Sequence, residues 1–307
     1  WSTPIWVKKP VSVLLDTPPD ISDRKQTPTS PNYPEDIKIS AKVSDDKGIY
    51  SVKLWYSIDG GAYTSMDMVD DGTGGDDTAG DGRYTAVISA QPNGTSVKYY
   101  IEAIDDNAQT VITPSSAPSR YYSFYVGPRP LITEIFADAT GNETAEFIEI
   151  YNPTSSSIDI SGWSIEDEYQ GDYADRWSFP SGTSIASGDF IVIARAAGDT
   201  GWGYIGNFTS TALDFEYGYS SDLDNPSIPN LIPLTNSDGI TTDSEIKLDN
   251  SKDAVHLRNT YNVSVDEVEY GSSGGIYIPG WPIYAASEGQ SISRDGIATD
   301  TDNCTLD

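Results

Sequence analysis

The chain has 307 residues and a formal charge of −29, and it carries 20 Tyr and 7 Trp against 2 Met, with 27 Gly and 19 Pro. This is the composition of short strands joined by turns, and at about 150 residues per domain it supplies two cores. The acids, spread along the chain, repel a phosphate backbone and exclude nucleic acid as a partner. No apolar run approaches the ~18 residues of a membrane span. One Cys excludes an internal disulfide and a multi-thiolate centre, and a single His beside it argues against a zinc site.

In chain order, residues 1–10 form an apolar extension in which Trp1, Ile5, Trp6 and Val7 precede the first predicted strand, at 11–15. An apolar tail free in water is costly, so these four residues are expected to seat in a groove, either on their own domain or on another copy. The Pro-, Ser- and Thr-rich stretch 17–34 reads as a long connection. Period-two alternation follows at Ile37, Ile39, Ala41 and Val43, at Val52, Leu54, Tyr56 and Ile58, and at Val97, Tyr99, Ile101 and Ala103. Turn signals at 46–48, 59–61, 72–82 and 92–94 separate these bursts, a spacing that predicts a seven-strand sandwich over 11–127. Pro128-Arg129-Pro130 reads as a stiff linker.

Ser51 to Gly61, Ala79 to Ala86 and Val97 to Ala103 resemble the fibronectin type III-like and immunoglobulin-like modules of large secreted prokaryotic proteins. From 131 onward the resemblance is stronger. Glu146-Phe147-Ile148-Glu149-Ile150-Tyr151-Asn152-Pro153, followed by Ile158 to Ile165 with its Gly162-Trp163 pair, looks like the opening of a lamin tail domain. Ile185 to Ala194, Val265 to Gly271 and Gly289 to Arg294 agree with it. The resemblance implies a second immunoglobulin-like sandwich over 131–307, and it places the chain outside the cell. The start at Trp1, with no basic-then-apolar leader, is as expected after signal-peptide removal, and a boundary cut elsewhere would look the same. The departure from the family is an insertion at about 195–244 bearing Trp202, Tyr204, Phe208, Phe215, Tyr217 and Tyr219. A docked flap or a cap on the core would each account for its aromatics.

No catalytic constellation emerges. Gly271-Ser272-Ser273-Gly274-Gly275 has the nucleophile spacing but no following helix and no later histidine. His256 alternates within a predicted strand and is expected at its solvent edge. Calcium fits better, because Asp70, Asp71, Asp76 and Asp81 crowd a glycine-rich loop and the ion takes six to eight oxygens. Sandwich topology gathers alternate loops at one end, which adds Asp45, Asp105 and Asp106 as contributors. The alternative is a solvated hairpin tip. Asn93, Asn142, Asn207, Asn262 and Asn303 head glycosylation sequons.

The sequence therefore predicts an all-β chain of two tandem immunoglobulin-like sandwiches. Its expected role is that of a non-enzymatic extracellular or cell-surface structural protein that binds calcium and self-associates head to tail by strand addition or joins other surface proteins. The rival expectation is a pair of accessory modules from a larger secreted hydrolase or nuclease.

Overall fold

A computed structural model gives the fold and describes residues 16–138, 146–167, 175–194, 214–216, 228–234, 248–271 and 287–294. The predicted strand at 11–15 and the residues Trp1, Ile5, Trp6, Val7, Asn142, Asn207 and Asn303 lie outside these, as do all the aromatics named in the insertion except Phe215.

The described elements are all strands. The first eight are β1 (Asp20–Thr27), β2 (Ile37–Ser44), β3 (Ile49–Ile58), β4 (Thr64–Asp67), β5 (Arg83–Ile88), β6 (Ser96–Asp105), β7 (Thr110–Thr113) and β8 (Tyr122–Tyr125). They form one sheet in the order β1-β2-β5 and a second in the order β4-β3-β6-β7, with β8 also paired to β6. The alternation seen in the sequence is what closes these two sheets on each other. Ile37, Ile39, Ala41 and Val43 face inward from β2, Val52 and Leu54 from β3, and Val97, Tyr99, Ile101 and Ala103 from β6, and all belong to one core. Leu54 stands opposite Ile101 and Val52 opposite Ala103, so a slip of one residue would turn both rows to solvent.

One expectation fails here. The stretch 17–34 is not a bare connection, because Asp20–Thr27 pairs antiparallel with β2 from Asp20 opposite Ser44 to Thr27 opposite Lys38. This edge strand holds by backbone pairing and is largely exposed, so it shows no hydrophobic alternation.

The remaining strands are β9 (Leu131–Phe136), β10 (Phe147–Tyr151), β11 (Ile158–Asp159), β12 (Ser164–Asp167), β13 (Asp175–Ser178), β14 (Ser184–Ile185), β15 (Phe190–Ala194), β16 (Phe215–Glu216), β17 (Ile232–Pro233), β18 (Lys252–Arg258), β19 (Ser264–Gly271) and β20 (Ile292–Ser293). Two five-stranded sheets, β16-β15-β10-β9-β20 and β17-β13-β12-β18-β19, enclose a second core around Ile148, Ile150, Ile165, Trp177, Val255 and Leu257. The described parts of the insertion are docked on these sheets. β16 runs parallel to β15, β17 pairs with β13, and Phe215 meets the ring of Phe179 edge-on at 5.6 Å.

Candidate functional site

The acidic turns at 45–48, 70–82 and 105–109 gather at one end of the first sandwich. β2 finishes beside the 70–82 loop, where Val43 N–H donates to the Gly82 carbonyl at 2.9 Å, and the turn after β6 meets the 45–48 turn, where Asp106 N–H donates to the Gly48 carbonyl at 3.1 Å. The carboxylates form two groups. Asp70, Asp76 and Asp81 each bring an oxygen within 4.8 Å of the others, and so do Asp16, Asp45 and Asp46. Asp71, Asp105 and Asp106 belong to neither triplet, although Asp106 Oδ2 lies 2.7 Å from where a Cβ on Gly48 would stand.

The two groups differ in how their oxygens are used. In the loop, Asp70 is filled by three backbone donors, with Oδ1 accepting from Gly80 and Asp81 and Oδ2 from Gly82 at 2.9–3.1 Å. Asp76 Oδ2 accepts from Gly72 N–H, and Asp81 Oδ1 from Arg83 N–H. Asp71 Oδ1 takes the amide and the hydroxyl of Thr73, which hold its carboxyl below the usual range. The loop is thus built on its own side chains as a set of Asx turns, with positive φ at Gly72, Gly74, Gly75, Gly80 and Gly82.

Around Asp45 the donors run short. Asp45 Oδ1 accepts from Lys47 and Gly48 N–H, Asp105 Oδ1 from Asn107 and Gln109 N–H, and Asp16 Oδ2 from the side-chain amides of the same Asn107 and Gln109. The second oxygens, Asp45 Oδ2, Asp105 Oδ2 and Asp16 Oδ1, are sealed from solvent with no hydrogen-bond partner. Asp46 is different, for the hydroxyl and amide of Thr17 and then Lys47 hold its carboxyl down to about 2.

A second locus lies where the two sandwiches meet. The turn between β18 and β19 is shaped by Asn259, whose Oδ1 accepts from Tyr261 and Val263 N–H and whose Nδ2 donates to Ser96 Oγ of the first sandwich. Asn262, at φ 57°, donates Nδ2 to the Tyr121 hydroxyl at 2.9 Å while its carbonyl accepts that hydroxyl's proton at 2.8 Å. Tyr261 covers Gly60, where a Cβ would lie 2.9 Å from its ring, and Tyr125 meets Trp163 edge-on at 6.2 Å. A glycan on Asn262 would have to displace the Tyr121 pair. Asn93 is exposed, and its Oδ1 accepts from Tyr33 N–H.

His256 is not at a solvent edge. β18 is flanked by β12 and β19, and the ring is buried with Nδ1 3.2 Å from Glu267 Oε2. Burial alone would raise the Glu267 carboxyl, but His256, Ser264 and Arg258 bring it down to about 2. Sequence reasoning also missed the buried acids Glu146, Asp167 and Asp253. Burial lifts Asp253 to about 6, against the opposing hydrogen bonds from Asp167 and from the Asp249 and Ala254 amides. Their signal was absent because an acid within a strand reads as a solvated face.

The lamin tail domain family model matches residues 126–272. No curated protein matches the chain. Among solved structures, a DUF4876 family protein from Bacteroides thetaiotaomicron is 12% identical with a TM-score of 0.34, over 68% of this chain and 62% of that one. The cycloalternan-forming enzyme of Listeria monocytogenes is 12% identical with a TM-score of 0.25, over 55% and 17%. Dimeric latent PorU from Porphyromonas gingivalis is 14% identical with a TM-score of 0.25, over 88% and 20%. The chain therefore spans less than two thirds of each of these, and likeness this loose bears on neither activity nor ligand.

Proposed function

Residues 126–272 of this chain are a lamin tail domain, and from that premise we propose that the protein is a non-enzymatic structural or assembly protein outside the cell or on its surface. On this reading two immunoglobulin-like sandwiches in tandem act as one stiff unit, stabilised by calcium and joined head to tail to further copies. The observation that carries it is the joint. Asn259, Tyr261 and Asn262 of one sandwich lock onto Ser96, Gly60 and Tyr121 of the other, and the Tyr125–Trp163 contact adds to them. A spacer that transmits position needs such a lock, because modules joined by contacts of ordinary size otherwise move relative to one another. The apolar 1–10 segment supplies the strand or anchor that a neighbouring copy accepts.

Small-angle scattering and electron microscopy of the full chain test this reading. Wild type is expected to show a single inter-module angle and to form linear assemblies as concentration rises. Asn259→Ala with Tyr261→Ala is expected to broaden the angle, and removal of residues 1–7 to leave monomers. A wild type as flexible as the double variant, monomers at every concentration, or turnover of an ester, glycoside or peptide lost on a single substitution would each overturn the reading.

A further inference from the structure

Asp16, Asp45 and Asp105 repeat one arrangement. Each has one carboxylate oxygen satisfied by two N–H donors, and each has the other withdrawn from solvent and without a donor. The three are brought together by shared neighbours. Asn107 and Gln109 hold Asp105 with their backbone amides and Asp16 with their side chains. Asp105 stands opposite Ile49, at the exit of the 45–48 turn whose amides hold Asp45. Asp105 is itself only 1% exposed. A carboxylate oxygen without water, proton or cation is a costly thing to bury, and several such oxygens at the end of one sandwich compound the cost.

We propose that this end of the first sandwich is a binding site for one hard divalent cation, calcium in an extracellular medium, with Asp16, Asp45 and Asp46 as ligands and the buried Asp105 joined to Asp16 through Asn107 and Gln109. Calcium takes oxygens at about 2.3–2.6 Å, so two oxygens on one ion stand no more than about 5 Å apart. The oxygens of Asp16, Asp45 and Asp46 lie within 4.8 Å of one another and meet that limit. Waters complete the shell. The 70–82 loop has the denser acidic sequence, yet its Asp70 is already filled by backbone amides and none of its carboxylate oxygens is both sealed and unpartnered. The ion therefore ties Asp16, ahead of β1, to the β2–β3 turn, while Asn107 and Gln109 hold Asp16 against the turn after β6, and together they fix the direction in which the chain enters the sandwich. This deepens the calcium part of the proposed function and leaves its assembly part independent.

The test is calorimetric titration of the full chain with Ca²⁺, together with thermal melts and hydrogen exchange. One ion is expected to bind per chain. It should raise the melting temperature and protect amides at 16–17, 45–48 and 105–109 but not at 72–82. Asp16→Asn and Asp45→Asn should each weaken binding at least tenfold, whereas Asp70→Asn should lower the melting temperature of the apo protein and keep the Ca²⁺-dependent rise. Protection confined to 72–82, or a rise lost in Asp70→Asn and kept in Asp45→Asn, would overturn the assignment. So would the absence of Ca²⁺ binding by wild type, which would mean that protons satisfy the buried oxygens. The exchange measurement needs no variant, so misfolding of a variant cannot blur the result. A chain that binds Ca²⁺ as described but never self-associates refutes the assembly reading alone.

Discussion

Loss of the Arg294 charge should cost the second sandwich heavily for little change in shape. Its Nη2 lies 3.1 Å from both oxygens of Asp266, its Nε donates to the Ile132 carbonyl at 2.9 Å, and Asp266 Oδ2 accepts from Ile132 N–H at 2.6 Å. The side chains are 8% and 3% exposed, so the pair sits in a low-dielectric gap joining β9, β19 and β20. Arg294→Met keeps the apolar stem but removes the charge that faces the buried Asp266 carboxylate. Breaking one side of a buried pair costs about 3–5 kcal/mol, which for a domain of this size lowers the melting temperature by about 10 °C. Urea unfolding followed by tryptophan fluorescence is a suitable assay, because Trp163 and Trp177 report on this core. Adding Asp266→Asn to Arg294→Met should recover part of the loss, since the buried charge is then gone. A single-variant loss below about 1 kcal/mol, or a double variant weaker than the single by the full cost of a second site, would refute the reasoning.

Two further outcomes are expected on the same assay. Asn152 is fully buried, and its Nδ2 donates to the carbonyls of Ser156, Ile185 and Ala186 at 2.9–3.1 Å, so Asn152→Ala should destabilise by about 3 kcal/mol. A loss below about 1 kcal/mol would mean that water replaces the amide. Asp253 holds its proton up to about 6 when folded, against about 3.9 when unfolded. Between those values the unfolded chain releases a proton that the folded chain keeps. Stability should therefore fall by about 3 kcal/mol as pH rises from 4 through 6 and stay level above, and Asp253→Asn should remove that slope. An identical pH profile in wild type and variant would show that Asp253 is ionised in the fold.

The strands that face a core on one side were legible from residue order alone. The alternation at Ile37 to Val43, Val52 to Ile58 and Val97 to Ala103 fixed which face of β2, β3 and β6 turns inward, because a period of two is imposed by the pleat whatever the partner. The lamin tail signature likewise placed β10, β15 and β19, and the alternation around His256 placed β18. β1 escaped because an exposed edge strand is held by backbone hydrogen bonds that leave no mark on side-chain polarity. The acids are visible as a class, and residue order alone favours the 70–82 loop, which holds most of them. Only the folded chain separates Asp70, satisfied by neighbouring amides, from Asp16, Asp45 and Asp105, each left with one donorless buried oxygen. The same holds for Asn262 against Tyr121 and for Arg294 against Asp266, whose partners lie 141 and 28 residues away. Residue order carries local periodicity, whereas solvent exclusion and the meeting of distant polar groups exist only once the sheets have closed.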